Sequence, residues 1–295
     1  MESKKFKIAL FGNVYQEKKS MAVQKLLATA TELNMDIAIA EGFYNFLHNS
    51  MQIEIPKCEI IKGNEFNADI AICMGGDGTF LDVASRVGDK EIPILGINTG
   101  RLGFLASFSP DNIEEALTTI IEGNYNVKKH SVLKITCEEM PLVGYPFALN
   151  EIAILKHDIS AMICIHTSID GEYLTTYQAD GLIIGTPTGS TAYSLSVGGP
   201  IIMPEIDTIS LTPVAPHSLN MRPLVIGGNS TIDLCVESRS NNFLVSLDGR
   251  SQGYPDRIHL QISKAPYCVK VITKQEASFF STLRAKMMWG ADIRE

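Results

Sequence analysis

Residues 70–80 read Ile70-Ala71-Ile72-Cys73-Met74-Gly75-Gly76-Asp77-Gly78-Thr79-Phe80, and the way this stretch folds decides the architecture. Residues 70–74 form a short, unbroken apolar run, as expected of a strand covered on both faces. The run stops at glycines, and residues 79–87 then carry helical spacing. Strand, glycine loop and helix in succession belong to a parallel sheet covered by helices. The same alternation continues on both sides. Upstream lie a strand at 6–11 ending at Gly12, a helix at 18–33 and a strand at 36–40. Downstream lie a strand at 93–97 stopping at Asn98 and a helix at 110–122, with Gly123 and Asn124 as its stop. In such sheets ligands gather beyond the carboxyl ends of the strands, where several of these glycines sit.

From about Asn126 the texture changes. Residues 131–137, 148–156, 162–169, 181–185, 231–236 and 268–273 are short, β-like segments separated by turn residues. The pattern predicts an α/β N-terminal domain with a parallel sheet over residues 1–126 and an all-β C-terminal domain over residues 127–275. Apolar residues at 279, 280, 283, 287 and 288 predict a closing helix within 276–295 that packs back on the first domain, with Trp289 as a packing anchor.

The composition fits that outline. The chain has 295 residues, about twice a typical domain. With 45% apolar and 20% charged residues it is ordinary for a globular protein. Lys and Arg number 25 against 33 Asp and Glu, a net charge of −8. That balance disfavours nucleic acid and anionic membrane as partners, yet leaves room for a small phosphorylated ligand. No apolar run approaches the roughly 20 residues of a membrane-spanning helix. The opening MESKKFKIALFGN has too short an apolar stretch for a signal peptide. Cysteines at 58, 73, 137, 164, 235 and 268 form no CxxC pair, and all but the first sit in apolar, strand-like stretches. They read as small buried hydrophobes of a reducing, cytoplasmic compartment. The six histidines show no zinc spacing.

Four clusters could carry chemistry. In the first, Gly75, Gly76 and Gly78 let a ligand approach the backbone, and amides at the following helix start can hold phosphate oxygens. Asp77 would repel a phosphate, so its presence points to proton abstraction from an attacking hydroxyl or to help in holding Mg²⁺. The bland reading makes Asp77 an N-cap. The second cluster, NTGRLGFL at 98–105, is either a site or a glycine-kinked loop with Phe104 covering the core. The third, Asn150-Glu151, taken alone reads as a strand edge or turn. The fourth runs from Asp180 through TPTGSTAYSLS at 186–196 to Gly198-Gly199-Pro200. Its hydroxyls, backbone amides and one tyrosine ring suit a ribose, phosphate or base. There is no GxxxxGK[ST] loop, no GxGxxG fingerprint and no GxSxG elbow. Leu247-Asp248-Gly249-Arg250 reads as a hairpin turn.

The four clusters in this order resemble the NAD kinase family: GGDGT at 75–79, NTGRLGFL at 98–105, NE at 150–151 and DG…TPTGSTAYSLSxGGP at 180–200, joined by Arg222-Pro223-Leu224 and the Asp248-Gly249 turn. GGDG alone is shared with diacylglycerol and sphingosine kinases. The resemblance implies an NAD kinase/diacylglycerol kinase-like fold with a site in the cleft between the two domains. It implies transfer of the γ-phosphoryl of ATP to the 2′-hydroxyl of the adenosine ribose of NAD⁺, with Mg²⁺ or a similar ion, in a homodimer or homotetramer. Asp77 then matches the proton acceptor, with Gly75, Gly76 and Gly78 beside it, and Phe104 matches an aromatic near the adenine. Asn150 and Glu151 match adenosine contacts, and Asp180 a substrate-binding acid. Thr188, Thr191, Ala192, Tyr193, Ser194, Leu195 and Ser196 match the loop that follows the dinucleotide. Arg250 stands where many relatives carry Gln, and Gln178 where some bacterial relatives carry Arg, so neither is given a role. No basic residue after the first strand is assigned to a phosphate, and the metal ligands stay unassigned. The rival readings are a lipid or sugar kinase of the same superfamily and a non-catalytic NAD(P) sensor. ATP against polyphosphate, and NAD⁺ against NADH, stay open.

Overall fold

The computed structural model describes residues 5–12, 20–100, 103–140, 142–158, 161–274 and 278–288. The sequence-read helix start at 18–19, Asn13, Arg101 and Leu102 of the second loop, and the tail positions 275–277 and 289–295, including Trp289, lie outside these residues. Two compact units are present: Met1–Lys129 with Val269–Glu295, and His130–Cys268.

The first unit begins β1 (Lys7–Gly12), α1 (Ser20–Glu32), β2 (Asp36–Ala40), α2 (Glu41–Asn45), β3 (Glu59–Ile61), β4 (Ile70–Gly75), α3 (Asp77–Val87), β5 (Ile94–Asn98) and α4 (Ile113–Ile121). Every residue of β4 is buried, as a central parallel strand requires. The strands pair in the order β3-β2-β1-β4-β5, all parallel. That order places a topological switch between β1 and β4, the position at which open α/β sheets form their ligand crevice. In α4, Ile113, Ala116, Leu117 and Ile120 are buried at i, i+3, i+4 and i+7, the stripe that an amphipathic helix turns to the core. Residues 110–112, read from sequence as the start of this helix, form a separate 3₁₀ turn opened by Pro110.

The second unit is β-rich. It contains β6 (Asn126–Cys137, from His130 onward), β7 (Phe147–Ala148), β8 (Glu151–Lys156), β9 (Ile163–Ile169), β10 (Glu172–Ala179), β11 (Gly181–Gly185), the one-turn α5 (Tyr193–Ser196), β12 (Thr208–Val214), β13 (Leu224–Gly227), β14 (Ile232–Glu237), β15 (Asn242–Leu247), β16 (Arg250–Pro255) and most of β17 (His259–Thr273). One antiparallel sheet runs β13-β12-β11-β8-β15-β16. Strands β10, β9, β14 and the first part of β17 form a second antiparallel array. Ile152, Ile154, Leu182, Ile184 and Val245 of the first sheet share one core with Ile163, Ile165, Ile232, Leu234 and Leu260 of the second. The segment 188–196, read from sequence as a structured loop, contains a 3₁₀ turn at Thr188–Thr191 followed by α5.

The chain then returns to the first unit. Val271 and Ile272 at the end of β17 pair in parallel with Ile94 and Leu95 of β5. Helix α6 (Phe279–Met287) follows, and its Phe279 ring lies 6.1 Å from that of Phe104. No described helix is long and apolar enough to cross a membrane.

Candidate active site

Parallel pairing sets the ends of β4 and β5 side by side, with Gly75 opposite Asn98. The two glycine-bearing loops that follow are therefore neighbours. A Cβ on Gly75 would lie 2.3 Å from the Thr79 hydroxyl, so this glycine is needed for packing. Gly76 and Gly78 differ: a Cβ on either meets nothing within 4 Å, and neither has a positive φ. Packing and backbone strain do not account for these two, and the space beside them is open to a ligand.

Asp77 is not an N-cap. Gly76 holds that place, without a side-chain cap bond, and Asp77 is the first residue of α3. Its carboxylate instead spans to the loop after β5. Oδ2 accepts the amide of Phe104 at 2.9 Å, and Oδ1 accepts those of Leu105 at 3.1 Å and Ala106 at 3.4 Å. Gly103 permits this approach, because a Cβ there would stand 1.9 Å from Oδ1. Lys286 of α6 completes the group, with Nζ 3.4 Å from Asp77 Oδ2 and 4.4 Å from the centroid of the Phe104 ring. Phe104 is half-buried, with Lys286 and Phe279 against its ring, while Leu105 and Phe108 of the same loop are buried.

The second cluster lies in the second unit, at the start of the central strand β8. Asp248, in the tight turn between β15 and β16, accepts the amides of Leu149 at 2.7 Å, Asn150 at 2.8 Å and Glu151 at 3.1 Å. The turn has φ of 48° at Asp248 and 82° at Gly249, the geometry of an Asp-Gly hairpin turn. On its other side the same segment offers carbonyls. Leu149 O accepts the Thr186 hydroxyl at 2.6 Å, and Asn150 O accepts the Thr186 amide at 2.9 Å. A Cβ on Gly189 would sit 2.0 Å from Asn150 O, so only glycine lets the 186–189 turn close on this strand. Arg250 ties the hairpin down by donating to the carbonyls of Tyr145, Phe147 and Leu247.

Glu151 is buried, and its Oε2 has no hydrogen-bond partner. Burial, with the negative charge of Asp248 adding to it, pushes its carboxyl up to about 7, against the pull of the Tyr193 amide. Burial also raises Asp248, opposed by the three amides it accepts. A proton acceptor placed without a partner in a protein interior is a group that awaits a ligand or holds a proton. The sign of the pH dependence follows. Folding raises this carboxyl, so its stabilising share is complete below the ordinary carboxylate range and is lost as pH rises through about 7. Glu151→Gln is therefore expected to raise Tm clearly at pH 8, by the equivalent of about 1–3 kcal/mol, and little at pH 5. Thermal melts across that range measure the difference; an equal shift at both ends would contradict the assignment.

The 188–196 segment uses its buried hydroxyls inside the fold. Thr188 Oγ1 meets Nδ1 of the buried His130 at 2.8 Å, Ser194 Oγ meets Thr212 Oγ1 at 3.0 Å, and Thr191 donates to Thr188 O. Ser190 links Pro187 and Ile202. Tyr193 and Ser196 are exposed, Ala192 and Leu195 half-buried. Within this unit Asn150, Glu151, Thr188 and Tyr193 are brought to one end of the β8–β11 pair. Asp180 is not: it lies before Gly181, at the opposite end of β11, ion-paired to Lys156 at 2.7 Å. At about 3.3 Å per residue that is roughly 15 Å away along the strand.

The matches to known proteins follow these two clusters. Residues 9–125 match the ATP-NAD kinase N-terminal domain, and residues 149–273 match the ATP-NAD kinase C-terminal domain. The chain belongs to the NAD kinase family. An NAD kinase of Bacteroides fragilis is 53% identical over 288 residues, covering 98% of this chain and 99% of the relative. One of Porphyromonas gingivalis is 41% identical with the same coverage. Among solved structures, an NAD kinase from Archaeoglobus fulgidus in complex with ATP superimposes with a TM-score of 0.75 at 26% identity, covering 95% of this chain and 99% of that one. A yeast NADH kinase complexed with NADH shares the fold, with a TM-score of 0.90 at 21% identity over 99% of this chain and 90% of that one.

The family's N-terminal match contains Asp77 and the loop that grips it, and the C-terminal match contains Asn150, Glu151, the 186–196 segment and Asp248. Lys286 lies beyond both. Sequence reading missed three contributors: Lys286, seen only as part of a helical pattern, Asp248, seen only as a turn, and His130, given no weight. For Asp248 the signal was present in the Asp-Gly pair, but a turn pattern does not say which amides a side chain will meet. For Lys286 no local signal exists. Among the described residues no group of three or more His, Cys, Asp or Glu side chains is arranged to hold a metal ion.

Proposed function

We propose that this protein transfers the γ-phosphoryl group of ATP to the 2′-hydroxyl of the adenosine ribose of NAD⁺, giving NADP⁺ and ADP. The observation that carries the reading is the placement of Asp77: a carboxylate held by three backbone amides at the end of β4, beside the open space at Gly76 and Gly78. An alcohol attacking phosphorus needs a base within hydrogen-bond reach, and Asp77 is the base. The ribose oxygen bonds to the γ-phosphorus as the bond from phosphorus to the β,γ-bridging oxygen breaks. The proton passes to Asp77, and the electron pair leaves with ADP.

Gly75, Gly76 and Gly78 line the approach of the reacting groups, and Phe104 presents a ring edge to the adenine. Asn150 and Glu151 contact the adenosine, with the unpartnered Glu151 oxygen accepting from a ligand donor. Backbone groups of 188–196 and the exposed Tyr193 and Ser196 follow the rest of the dinucleotide. A divalent ion, Mg²⁺ on this reading, enters on the phosphates of ATP as part of the substrate. In a homodimer or homotetramer Asp180, which is paired with Lys156 and stands apart from the other site residues of its own unit, serves a neighbouring copy. Six free cysteines suit the reducing cytoplasm.

Pure protein incubated with ATP, Mg²⁺ and NAD⁺ should produce NADP⁺, detected with a strictly NADP-dependent dehydrogenase; no signal above the enzyme-free control contradicts the proposal. Gly76→Ala and Gly78→Ala supply a second check. Because their added methyls enter open space, Tm should move little while kcat/KM falls at least tenfold. Wild-type kinetics in both would remove these glycines from the ligand's path.

A further inference from the structure

Four donors reach the Asp77 carboxylate among the described residues: the amides of Phe104, Leu105 and Ala106, and the ammonium of Lys286. A carboxylate has about four lone-pair sites, so this set fills it. A substrate hydroxyl can give its proton to Asp77 only if one donor leaves. The amides cannot leave readily. Ala106 is fully buried, and the segment behind them is anchored by backbone bonds from Asn98 to Phe108 and from Phe108 to Gly96. Lys286 can: its side chain is one-third exposed, its stem is flexible, and its 3.4 Å contact is among the longest of the four.

The ammonium also has a hold that does not depend on Asp77, the face of the Phe104 ring at 4.4 Å. A cation released from the carboxylate therefore stays beside it. The group that must arrive next to the attacking hydroxyl is the transferred phosphoryl, which carries more negative charge than a carboxylate. The glycine loop contains no lysine of its own, and the matched family regions end before α6. We infer that Lys286 is the site's exchanging counter-ion: it neutralises Asp77 in the unliganded chain and moves to the γ-phosphoryl of the donor when nucleotide binds, freeing a lone pair of Asp77 for the incoming proton. The inference rests on the kinase reading above. Its charge logic is that of phosphoryl transfer, in which fixed cations offset charge on the equatorial oxygens. The difference is that this cation is delivered by a helix 209 residues further along the chain.

The test compares binding of Mg²⁺-bound AMP-PNP and Mg²⁺-bound ADP to the full chain by calorimetry, in wild type, Lys286→Met and Lys286→Arg. Methionine keeps an apolar stem against Phe104 and removes the charge; arginine keeps the charge. The expected result is that Lys286→Met loses about tenfold in preference for the triphosphate over the diphosphate, with ADP affinity within twofold of wild type and Tm unchanged, while Lys286→Arg retains most of the preference. An undiminished preference in Lys286→Met overturns the inference, as does an equal loss for both nucleotides, which marks a merely structural lysine. Failure of the kinase reading has a different signature, the absence of NADP⁺ formation by the wild-type protein.

Discussion

Asp77→Asn should lower kcat for NADP⁺ formation by about 10²–10⁴, the range that a positioned general base supplies. Asparagine has the same shape but one acceptor oxygen, so its NH₂ would face either the Phe104 amide or the amides of Leu105 and Ala106 that the carboxylate now satisfies. A stability cost of about 1–3 kcal/mol follows from the lost bonds, and rates belong at a temperature where the variant remains folded. Gly103→Ala separates position from chemistry. It keeps the carboxylate but places a methyl 1.9 Å from Oδ1, so either Asp77 or the loop must shift. Since a displacement near 1 Å can cost about 10²-fold, this variant should also be severely impaired, with its base chemically intact. An Asp77→Asn enzyme with more than a tenth of wild-type kcat would remove Asp77 from the base role.

Asp248→Ala has the second large effect, and through a different route. The side chain satisfies three consecutive amides at the start of β8, whose residues Leu149, Asn150 and Glu151 are buried, and Asp248 is itself half-buried. Truncation removes the acceptor of all three donors at once, on residues that are themselves buried. A loss on the order of 3–5 kcal/mol is expected by denaturant melts, together with weakened NAD⁺ binding as Asn150 and Glu151 lose their register. Asp248→Asn makes the complementary point. It removes the negative charge facing Glu151, so the pH dependence contributed by Glu151 should move to lower pH. A variant with unaltered stability and NAD⁺ affinity would show that the cradle is set by Thr186 and Gly189 alone.

These two aspartates show what local sequence can and cannot convey. The buried run at 70–74, its glycine stop and the helix after it were legible, because burial on both faces leaves an unbroken apolar stretch and a strand end needs glycine. The strands at 36–40 and 181–185 were legible for the same reason, whereas 162–169 was legible as a β-like segment between turns, with alternate residues buried. Strands β10 and β16 were not. Their residues are largely exposed, so the apolar signal is thin, and they are held by pairing with β9 and β15. The family resemblance also singled out Asp77, Asn150 and Glu151. It did not say that Asp77 grips residues 104–106, that Asp248 grips residues 149–151, or that Lys286 closes on Asp77. Those contacts join residues 27 to 209 positions apart, and periodicity reports only which face of one element is covered. The hydroxyl-rich segment 186–196 misleads in the opposite direction. Its composition suggests a ligand-facing surface, but Thr188, Ser190 and Ser194 turn their hydroxyls into the protein.

The central claim is a specific bond: γ-phosphorus to the 2′-oxygen of NAD⁺, formed at Asp77. Phosphorus NMR of the wild-type protein with ATP, Mg²⁺ and NAD⁺ tests it most directly. The account predicts a new phosphomonoester resonance, that of a ribose 2′-phosphate, growing one-for-one with ADP and failing to grow on the same timescale with the Asp77→Asn protein. Consumption of ATP with inorganic phosphate as the product and no new monoester, or a monoester that forms equally fast without the Asp77 carboxylate, would contradict it.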